Sequence, residues 1–519
     1  MLRDRSVLAR EDALSKTLEA LVASHDGHAL AVGAPGRDWM TYEDLRAQAQ
    51  SVRNSLRQCG IGATDRVAIV LPNGPEMAVA FLTVAQSAVT APLNPAYRED
   101  EFAFYFEDLG AKAVVVLDGY EGPALAAASR LGLRVIRLEP DVSSAAGMFS
   151  LIGSKGVAAN DNPGDDDIAL ILHTSGTTSR PKIVPLLQSN IVASACHIRD
   201  SLALSGSDRC LNIMPLFHIH GLIASVSASL AAGASVWCAP GFDALKFFGW
   251  MTEARPTWYT AVPTMHQAIL SRADRNSDVV KANPLRFIRS SSASLPPQVF
   301  SALSKAFTAP VLESYGMTEA AHQMASNPLP PREQKPGAVG IEAGPLVRIA
   351  EESENRLIDG TGEVVISGPN VTPGYESNPE ANASSFFEFE GRRWFRTGDQ
   401  GAFDDDGYLK LTGRLKEIIN RGGEKISPLE VDELLMDHPA VQQCVAFALP
   451  HSKLGEEVAA AIVLRDGMSA SEIEIREFAA ERVADFKVPR KIVFLDEIPK
   501  GATGKMQRIG MADKLGLTK

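Results

Sequence analysis

The most informative stretch of the chain is His173-Thr174-Ser175-Gly176-Thr177-Thr178-Ser179-Arg180-Pro181-Lys182, which follows an apolar run typical of a buried strand, Ile168 to Leu172. Hydroxyl side chains and one glycine fill the positions from Thr174 to Thr178, and Lys182 adds a positive charge nearby. Such a loop offers many hydrogen-bond donors to phosphate oxygens. A solvated turn has the same composition, so the stretch taken alone leaves both interpretations open.

This loop is not a Walker A loop, because the chain has no Gly-x-x-x-x-Gly-Lys-Ser/Thr and its lysine follows a proline. The run TSGTTSRPK instead resembles the phosphate loop of the adenylate-forming superfamily, which comprises acyl-CoA synthetases, firefly luciferase and the adenylation domains of peptide synthetases. Ser179 and Ile183 stand where most members carry glycine, and neither change removes a phosphate donor. The resemblance implies ATP-phosphate binding by Thr174, Ser175, Gly176, Thr177, Thr178 and Lys182.

Length and composition exclude several classes of protein. A chain of 519 residues is too long for one core of usual size, so at least two domains are expected. The content of 45% hydrophobic and 22% charged residues indicates a globular protein and argues against disorder. A net charge of −12 argues against a nucleic-acid binder. The longest weakly polar run, Gly221 to Val236, is broken by serines, so no membrane span is expected.

The cysteines and the termini bear on the compartment. The 5 cysteines are widely spread without a Cys-x-x-Cys pair, which predicts reduced packing residues instead of disulfides or a zinc site. The N-terminus lacks the apolar core of a secretory signal. Leu517-Thr518-Lys519 is not the peroxisomal Ser-Lys-Leu signal. We therefore expect a cytoplasmic protein.

The order of apolar patterns predicts parallel α/β layers. Thr41 to Asp44 has the form of a capping box, and the helix that it opens is expected to reach Gly60. Strands are predicted from Arg66 to Leu71 and from Ala113 to Leu117, with a helix between them from Glu76 to Ala91. Further strands are predicted at Ser235–Cys238, Thr257–Val262, Arg286–Arg289, Val311–Tyr315 and Glu363–Ser367. Ligands of such sheets gather at the carboxyl ends of the strands.

The pattern of predicted secondary structure changes after Trp394. Short strands and turns there lead to a compact mixture of strands and helices. We expect a domain boundary near Lys416. The superfamily resemblance implies a large N-terminal domain, residues 1–415, of layered α/β sheets plus a β-barrel-like subdomain. It implies a small, mobile α+β domain in residues 416–519.

Two motifs of the large domain extend the resemblance. Met214 to Gly221, MPLFHIHG, is similar to the superfamily motif that gates the acyl pocket, which assigns the gate to His218; a histidine in an apolar segment is equally typical of a core residue. Glu313 to Glu319, ESYGMTE, is similar to the motif whose tyrosine contacts adenine and whose last carboxylate reaches Mg²⁺. Tyr315 and Glu319 take those roles here, although Glu319 could also be an ordinary surface residue. The implied nucleotide contacts further include Ser292, Ala293, Glu313, Ser314, Gly316 and Thr318.

The motifs around the boundary and in the small domain complete the set. Asp399 in FRTGD is implied to accept both ribose hydroxyls, and Arg414 to donate to ribose or the α-phosphate. Lys416 falls at the hinge position. Arg421, Gly422 and Gly423 resemble the loop that lines the pantetheine tunnel for coenzyme A, although paired glycines also suit a tight turn. Near the C-terminus, PKGATGKM resembles the catalytic-lysine segment, which makes Lys505 the principal catalytic candidate.

These residues suit a two-step activation of a carboxylate. Transfer of AMP from ATP to the acid forms an acyl-adenylate, and the coenzyme A thiol then displaces AMP to give a thioester. Because the substrate is its own nucleophile in the first step, no Gly-x-Ser-x-Gly elbow is needed, and the sequence has none. The implied ligands are ATP, Mg²⁺, coenzyme A and a carboxylic acid.

The predicted acid pocket is unusually polar. Where many superfamily members have Gly-Gly, this chain reads Ser290-Ser291-Ser292-Ala293-Ser294, and His220 and His322 stand nearby. A fatty-acyl pocket has little use for these groups, because buried polar groups without partners are costly. The runs LHTSGTTSRPK, MPLFHIHGL, TWYTAVPT, RFIRSSSASL, NPLP and INRGGEKISPLEVDELL are most similar to oxalate–CoA ligases.

The resemblance therefore favours oxalate as the acid, with His220, Ser291 and His322 as contacts. Arg289 is a weaker contact that could instead form a structural ion pair. Two alternatives remain open on the sequence: a ligase for another short or dicarboxylic acid such as malonate, and a stand-alone adenylation module that loads a carrier protein. The sequence does not predict an oligomeric state.

Overall fold

The computed structural model describes residues 16–157, 161–174, 181–499 and 508–518. Four sheets organise these residues, and the two largest belong to the first 342 positions of the chain. In the described part of the chain, no helix combines the length and the apolar character needed to cross a lipid bilayer.

The first sheet has 7 strands, with parallel strands at its centre and an antiparallel strand at each edge. In spatial order they are Phe149–Gly153, Arg134–Pro140, Ala113–Leu117, Arg66–Val70, Val89–Pro92, Ile168–Thr174 and Lys182–Leu187. The last two form a hairpin in which Thr174 pairs with Lys182. The candidate phosphate loop therefore connects two paired strands, and its residues Ser175 to Arg180 lie outside the described residues.

The second sheet has 9 strands, and its central strands are again parallel. In spatial order they are Ile341–Glu342, His322–Ser326, Val311–Met317, Phe287–Ser291, Trp258–Ala261, Arg209–Asn212, Ser235–Cys238, Leu30–Gly33 and Met40–Thr41. The carboxyl ends of parallel neighbours meet at one edge, so the segments after Ala261, Ser291 and Met317 come together there.

Helices pack between and around these sheets. The helix Pro75–Ala85 contacts strands of both sheets and is apolar and buried around almost its whole circumference, as expected for a helix enclosed between two layers. The other α-helices are Leu18–Ala23, Tyr42–Gln58, Glu99–Leu109, Pro123–Leu131, Gln188–Ser201, Ala228–Ala231, Phe247–Ala254, Pro263–Ala273, Ser277–Ala282, Pro297–Phe307, Pro379–Ser385, Pro428–Met436, Glu472–Ala480 and Met511–Lys514. A π-helix spans His220–Ser227, and short 3₁₀ turns span Asp274–Asn276, Thr318–Ala320 and Asp485–Lys487.

The third and fourth sheets occupy the C-terminal third of the chain. An antiparallel sheet, at the place expected for the β-barrel-like subdomain, is built from Leu346–Ala350, Leu357–Ile358, Gly362–Ser367, Phe386–Phe389, Arg392–Phe403 and Leu409–Arg414. The last sheet contains Ile419–Arg421, Glu424–Ile426, Val441–His451, Gly455–Leu464 and Lys491–Phe494, and it has its own apolar core with the helix Pro428–Met436. The segment 415–418, which contains Lys416, joins these two sheets.

Most predicted elements are confirmed. The helix Tyr42–Gln58 begins with the capping box of Thr41 and Asp44, and strands occupy the predicted positions in both large sheets. One boundary is wrong: the helix predicted from Glu76 to Ala91 ends at Ala85, and Val89–Pro92 is a strand. In Val89–Pro92, only the β-branched residues Val89 and Thr90 indicate a strand. The segment becomes a strand because it pairs with a parallel strand on each side. The cysteines are reduced, and all except Cys196 are buried.

Candidate active site

Three adjacent parallel strands carry the acid-site candidates to one edge of the second sheet. Thr260 pairs with Arg289 in register, and Ser291 pairs with Ser314. The antiparallel return strand then sets Gly316 opposite Gln323 and Met317 opposite His322. Gly316 is required by this backbone, since a Cβ atom there would lie 2.1 Å from the His322 carbonyl oxygen.

Arg289 lies at the centre of this edge and is fully buried. One terminal nitrogen lies 3.3 Å from Thr260 Oγ1 and 3.4 Å from His220 Nε2. The other lies 3.2 Å from Gln323 Oε1 and 3.5 Å from His322 Nδ1. Burial lowers the pKa of Arg289 to about 9, which leaves the guanidinium charged at neutral pH. No carboxylate forms an ion pair with it within the described ranges, so the structural ion pair considered for Arg289 is not observed.

The two histidines beside Arg289 come from separate elements. His220 is the first residue of the π-helix, a rare element that is often found at functional sites, and His322 begins the return strand. Their ring centroids are 5.0 Å apart, and both residues are buried. His220 Nε2 also lies 2.6 Å from Thr260 Oγ1, so the two histidines, Thr260 and Arg289 form one group of polar contacts. His218 precedes the π-helix, half-buried, with its ring 4.5 Å from that of Phe217.

The serine run after Arg289 has two different functions. Ser291 is buried and donates to the Ser314 carbonyl oxygen at 2.8 Å, so its hydroxyl joins two strands. Ser292 instead reaches the acid site, with its Oγ 3.0 Å from His220 Nδ1. Ser292 has a φ of 74°, in the left-handed region that favours glycine. Ser292 is therefore held in a strained conformation by its hydrogen bond to His220 and bounds this side of the site. The next residue, Ala293, is exposed.

A second group of residues surrounds the proposed ribose position. Asp399 and Arg414 are cross-strand neighbours in the antiparallel sheet, with Arg414 Nε 3.2 Å from Asp399 Oδ1. The Tyr315 hydroxyl donates to Asp399 Oδ2. Asp399 raises the pKa of the Arg414 guanidinium, and burial together with Asp399 raises the pKa of Tyr315 well above its usual range. Each oxygen of this carboxylate thus accepts one protein hydrogen bond and keeps a lone pair for a ligand hydroxyl.

Lys182 and Glu319 lie on either side of Tyr375. The Tyr375 hydroxyl donates to Glu319 Oε1 at 2.9 Å, and Lys182 Nζ lies 4.2 Å from the centre of the tyrosine ring. Burial lowers the pKa of Lys182, opposed by the charge of Glu319, and burial raises the pKa of Glu319. Thr174 and Lys182 bracket the hairpin loop, so these groups lie at the base of the candidate phosphate loop.

Glu319 is the candidate ligand for Mg²⁺ and fits a site that the substrate completes. No group of three or more His, Cys, Asp or Glu side chains that could hold a metal ion occurs among the described residues. Mg²⁺ retains several waters and is commonly bound by one or two carboxylates together with substrate phosphates. The buried Glu319 beside the phosphate-loop hairpin matches that mode.

Glu313 is a buried acid of a different kind. Its Oε1 accepts the Leu295 backbone N–H at 2.8 Å, while its buried Oε2 has no hydrogen-bond partner among the described residues. Burial raises the pKa of Glu313 to about 8, so the neutral acid predominates at neutral pH. This contact fixes the end of the serine loop, which indicates that Glu313 supports that loop.

The small-domain candidates lie on a hairpin. Ile419–Arg421 and Glu424–Ile426 are connected by Gly422 and Gly423, whose φ values of 60° and 99° favour glycine. Arg421 forms an ion pair with Glu457, and Lys425 pairs with Glu352 at 2.8 Å, near the third sheet. Lys416 is exposed. Lys505 lies outside the described residues, as do Ser175, Gly176, Thr177 and Thr178.

Family models match both parts of the chain. Residues 18–376 match the AMP-binding enzyme family, and residues 430–505 match the C-terminal domain of AMP-binding enzymes. The chain belongs to the AMP-binding enzyme family. The resemblance to the adenylate-forming superfamily, first seen in the motifs, is thereby confirmed.

Several AMP-binding enzymes are similar to this protein over nearly the whole length of the chain. An oxalate–CoA ligase of Arabidopsis thaliana is 45% identical over 510 residues, covering 96% of this chain and 97% of the relative. An oxalate–CoA ligase of Saccharomyces cerevisiae is 44% identical over 520 residues, covering 93% of this chain and 94% of the relative. The crystal structure of ATP-bound MatB from Rhodopseudomonas palustris has a TM-score of 0.84 and 29% identity, covering 97% of this chain and 98% of that one. The predicted fold, a large α/β domain with a smaller C-terminal domain, is confirmed.

Four residues of this AMP-binding enzyme make contacts in the candidate site that the sequence motifs did not predict. Thr260 and Gln323 contact Arg289, Tyr375 lies between Lys182 and Glu319, and Ser292 bonds His220. Thr260 and Gln323 reach Arg289 through strand register, which no short motif encodes. The buried Asn327 donates to the Ala338 carbonyl oxygen and accepts from the Lys335 backbone N–H, so both of these contacts are structural.

Proposed function

We propose that this protein is an ATP-dependent oxalate–CoA ligase, which converts oxalate, ATP and coenzyme A into oxalyl-CoA, AMP and diphosphate. The observation that carries the proposal is the buried cation of Arg289, whose neighbours are two imidazoles, a hydroxyl and an amide. A buried charge without a counter-ion is costly, and an anionic ligand relieves that cost. The names of the two relatives at 45% and 44% identity support the same substrate.

Oxalate suits this site because it has two carboxylates on adjacent carbons. One carboxylate reacts with ATP, and the other would accept hydrogen bonds from Arg289 at the floor of the site. His220, His322 and the serine loop add polar groups beside Arg289 that an alkyl chain would leave without partners. We assign the acid contacts to His220, His322 and Arg289, with His218 as the gate, whereas the hydroxyl of Ser291, which was predicted as a further contact, is already donated to the Ser314 carbonyl oxygen.

In the first step, an oxalate oxygen attacks the α-phosphorus of ATP, and the bond to the bridging oxygen of the diphosphate breaks. We propose that Lys505 neutralises the charge that develops between the carboxylate and the α-phosphate. Lys182 and the donors from Thr174 to Thr178 would hold the leaving diphosphate. Glu319 would hold Mg²⁺, which supplies charge neutralisation on the phosphates when bound.

The nucleotide would lie between the two sites described above. Tyr315 and Gly316 would contact adenine, with Ser292, Ala293, Glu313, Ser314 and Thr318 along its binding wall. Asp399 and Arg414 would bind the ribose hydroxyls and the α-phosphate, because one accepts hydrogen bonds and the other only donates them.

In the second step, the thiol of coenzyme A attacks the acyl carbon, and AMP leaves. We propose that the chain has two domains, residues 1–415 and 416–519, which reorient about Lys416 between the steps. The Arg421-Gly422-Gly423 turn would then line the channel for the pantetheine arm, where glycine allows close approach of a thin ligand.

The deciding experiment measures diphosphate and AMP release by the full chain with ATP and Mg²⁺ across oxalate, malonate, acetate, coumarate and a medium-chain acid. Each acid is tested with and without coenzyme A. We expect oxalyl-CoA as the main product and the highest kcat/KM for oxalate. Preference for another acid would overturn the substrate and leave the enzyme class intact. Acid activation without use of free coenzyme A would favour a module that loads a carrier protein.

A further inference from the structure

Gln323 is a neighbour of Arg289 whose side chain is held by three hydrogen bonds. It is fully buried in the return strand, and its Oε1 accepts from Arg289 at 3.2 Å. Its amide nitrogen donates to Ser201 Oγ at 2.8 Å and to the Ala343 carbonyl oxygen at 3.0 Å. All three polar contacts of this side chain are therefore made inside the protein.

These contacts determine which way the amide faces. The Ala343 carbonyl can only accept a hydrogen bond, so the NH₂ group of Gln323 must point towards it. The oxygen of Gln323 is then left to face Arg289. The strand beneath it is held as well, because Asn370 Nδ2 donates to the carbonyl oxygens of Gln323 and Ala320 at 3.2 and 2.7 Å.

A glutamate of nearly the same shape would not satisfy this position. Its second oxygen would face the Ala343 carbonyl oxygen, and its first would form an ion pair with Arg289. The structure thus provides an acceptor that orients the guanidinium without cancelling its charge. Thr260 does the same on the other terminal nitrogen through a hydroxyl group at 3.3 Å.

We infer that Gln323 is a specificity-determining positioning residue, which holds Arg289 in place and keeps its charge available for the distal carboxylate of the substrate. The inference rests on the proposed function, because it concerns how oxalate is distinguished from an acid with one carboxylate. Gln323 acts through Arg289 and need not touch the substrate.

The test compares kcat/KM for oxalate with kcat/KM for acetate in Gln323→Glu. An internal carboxylate would compete with the substrate for Arg289, so the oxalate-to-acetate ratio is expected to fall about 100-fold. The matched control, Gln323→Met, has a similar length and no charge. It removes one neutral hydrogen bond to Arg289 and is expected to lower the ratio only about fivefold.

A purely structural role for Gln323 would lower activity with both acids and leave their ratio unchanged. An unchanged ratio in Gln323→Glu, or equal falls in the glutamate and methionine variants, would overturn the inference. ATP binding by each variant shows whether the fold is intact. The wild-type protein is measured first: if it does not use oxalate, the proposed function fails, whereas the inference fails only if oxalate is used and Gln323→Glu keeps the ratio.

If Gln323→Glu does not fold, Thr260→Asp tests the same idea from the opposite side of the guanidinium, with Thr260→Val as its uncharged control. The aspartate variant should lower the oxalate-to-acetate ratio at least about tenfold more than the valine variant. Equal ratios in the two variants would overturn the inference.

Discussion

Arg289 and Arg414 have the same charge in opposite surroundings. Arg289 is fully buried without a carboxylate partner among the described residues, whereas the side chain of Arg414 is 52% exposed and pairs with Asp399 at 3.2 Å. Burial lowers the pKa of Arg289, and the Asp399 carboxylate raises that of Arg414. The two arginines lie in the second and third sheets respectively.

This difference determines how strongly each arginine can interact with an anionic ligand. Arg414 already has a counter-charge, so a phosphate must share it with Asp399, and the pair is suited to a ligand with both hydroxyl and phosphate groups. Arg289 has already lost its water in the folded protein and has no counter-charge among the described residues. A second carboxylate therefore gains a strong, preorganised interaction there. Selectivity for the acid should depend on Arg289 and be independent of Arg414.

The largest acid-selective effect is expected for Arg289→Met. The variant should lower kcat/KM for oxalate about 10³-fold, because the second carboxylate would enter a buried site without a counter-charge. Acetate activation should change far less. Diphosphate release with each acid measures both, with Arg130→Met, at an exposed surface ion pair, as the control. Equal losses for the two acids would remove the distinction between the two arginines.

Lys505→Ala should reduce adenylate formation about 10²- to 10³-fold, since one preorganised charge-stabilising donor is lost. Unlike the loss at Arg289, this loss should be the same for oxalate and acetate. Conversion of supplied oxalyl-adenylate to thioester should continue. Separate assays of the two half-reactions measure this, and equal loss in both would contradict the assignment of Lys505 to the first step.

Lys416→Pro tests the region next to Arg414. A fixed φ at the hinge should reduce thioester formation about 100-fold, because the second set of groups can no longer reach the acyl-adenylate. Exchange of labelled diphosphate into ATP should be spared. Asp466→Pro, at the second position of the exposed turn from Arg465 to Met468, is a control for proline as such. Normal thioester formation in Lys416→Pro would exclude the hinge.

Asp399→Asn should raise the KM for ATP about 10- to 100-fold, since a charged acceptor of the ribose hydroxyls becomes neutral and Arg414 loses its counter-ion. The oxalate-to-acetate ratio should not change. Steady-state kinetics at saturating acid provide both values. A changed ratio would show that the two arginine sites are coupled and not independent.

The smallest effect concerns Glu313, a buried acid whose pKa of about 8 is raised from 4.5 by burial. Its folded pKa lies above its unfolded value, so the neutral acid contributes stability that is full below about 4.5 and is lost as pH rises to about 8. Glu313→Gln should remove this loss. The gain in Tm over wild type is therefore expected to grow between pH 5 and pH 8, at about 1.4 kcal/mol of unfolding free energy per pH unit at most.

Thermal unfolding across this pH range checks the prediction, with Glu481→Gln on an exposed position as the control. A gain that is constant with pH would mean that Glu313 is already ionised in the folded protein.

Local pattern predicted the alternating α/β order and much of the candidate site, because each motif sits where a strand or turn begins or ends. The strand Phe287–Ser291 and the hairpin at Thr174 follow directly from apolar runs and turn residues. The sequence placed His220 and His322 in one site with Arg289, but the other neighbours of Arg289 did not follow from it. Its neighbours Thr260 and Gln323 are distant in the chain, and only the register of parallel strands and one antiparallel return brings them together.

The position of His220 in the acid site depends on the π-helix His220–Ser227. A π-turn contains one residue more than an α-turn, so its presence here sets the direction of His220 relative to the rest of the segment. Deleting a single residue within positions 221–227 would favour α-helical winding there and would move His220 relative to the rest of the segment. A change of length by one codon, without any substitution at a binding residue, could therefore redirect the choice of substrate.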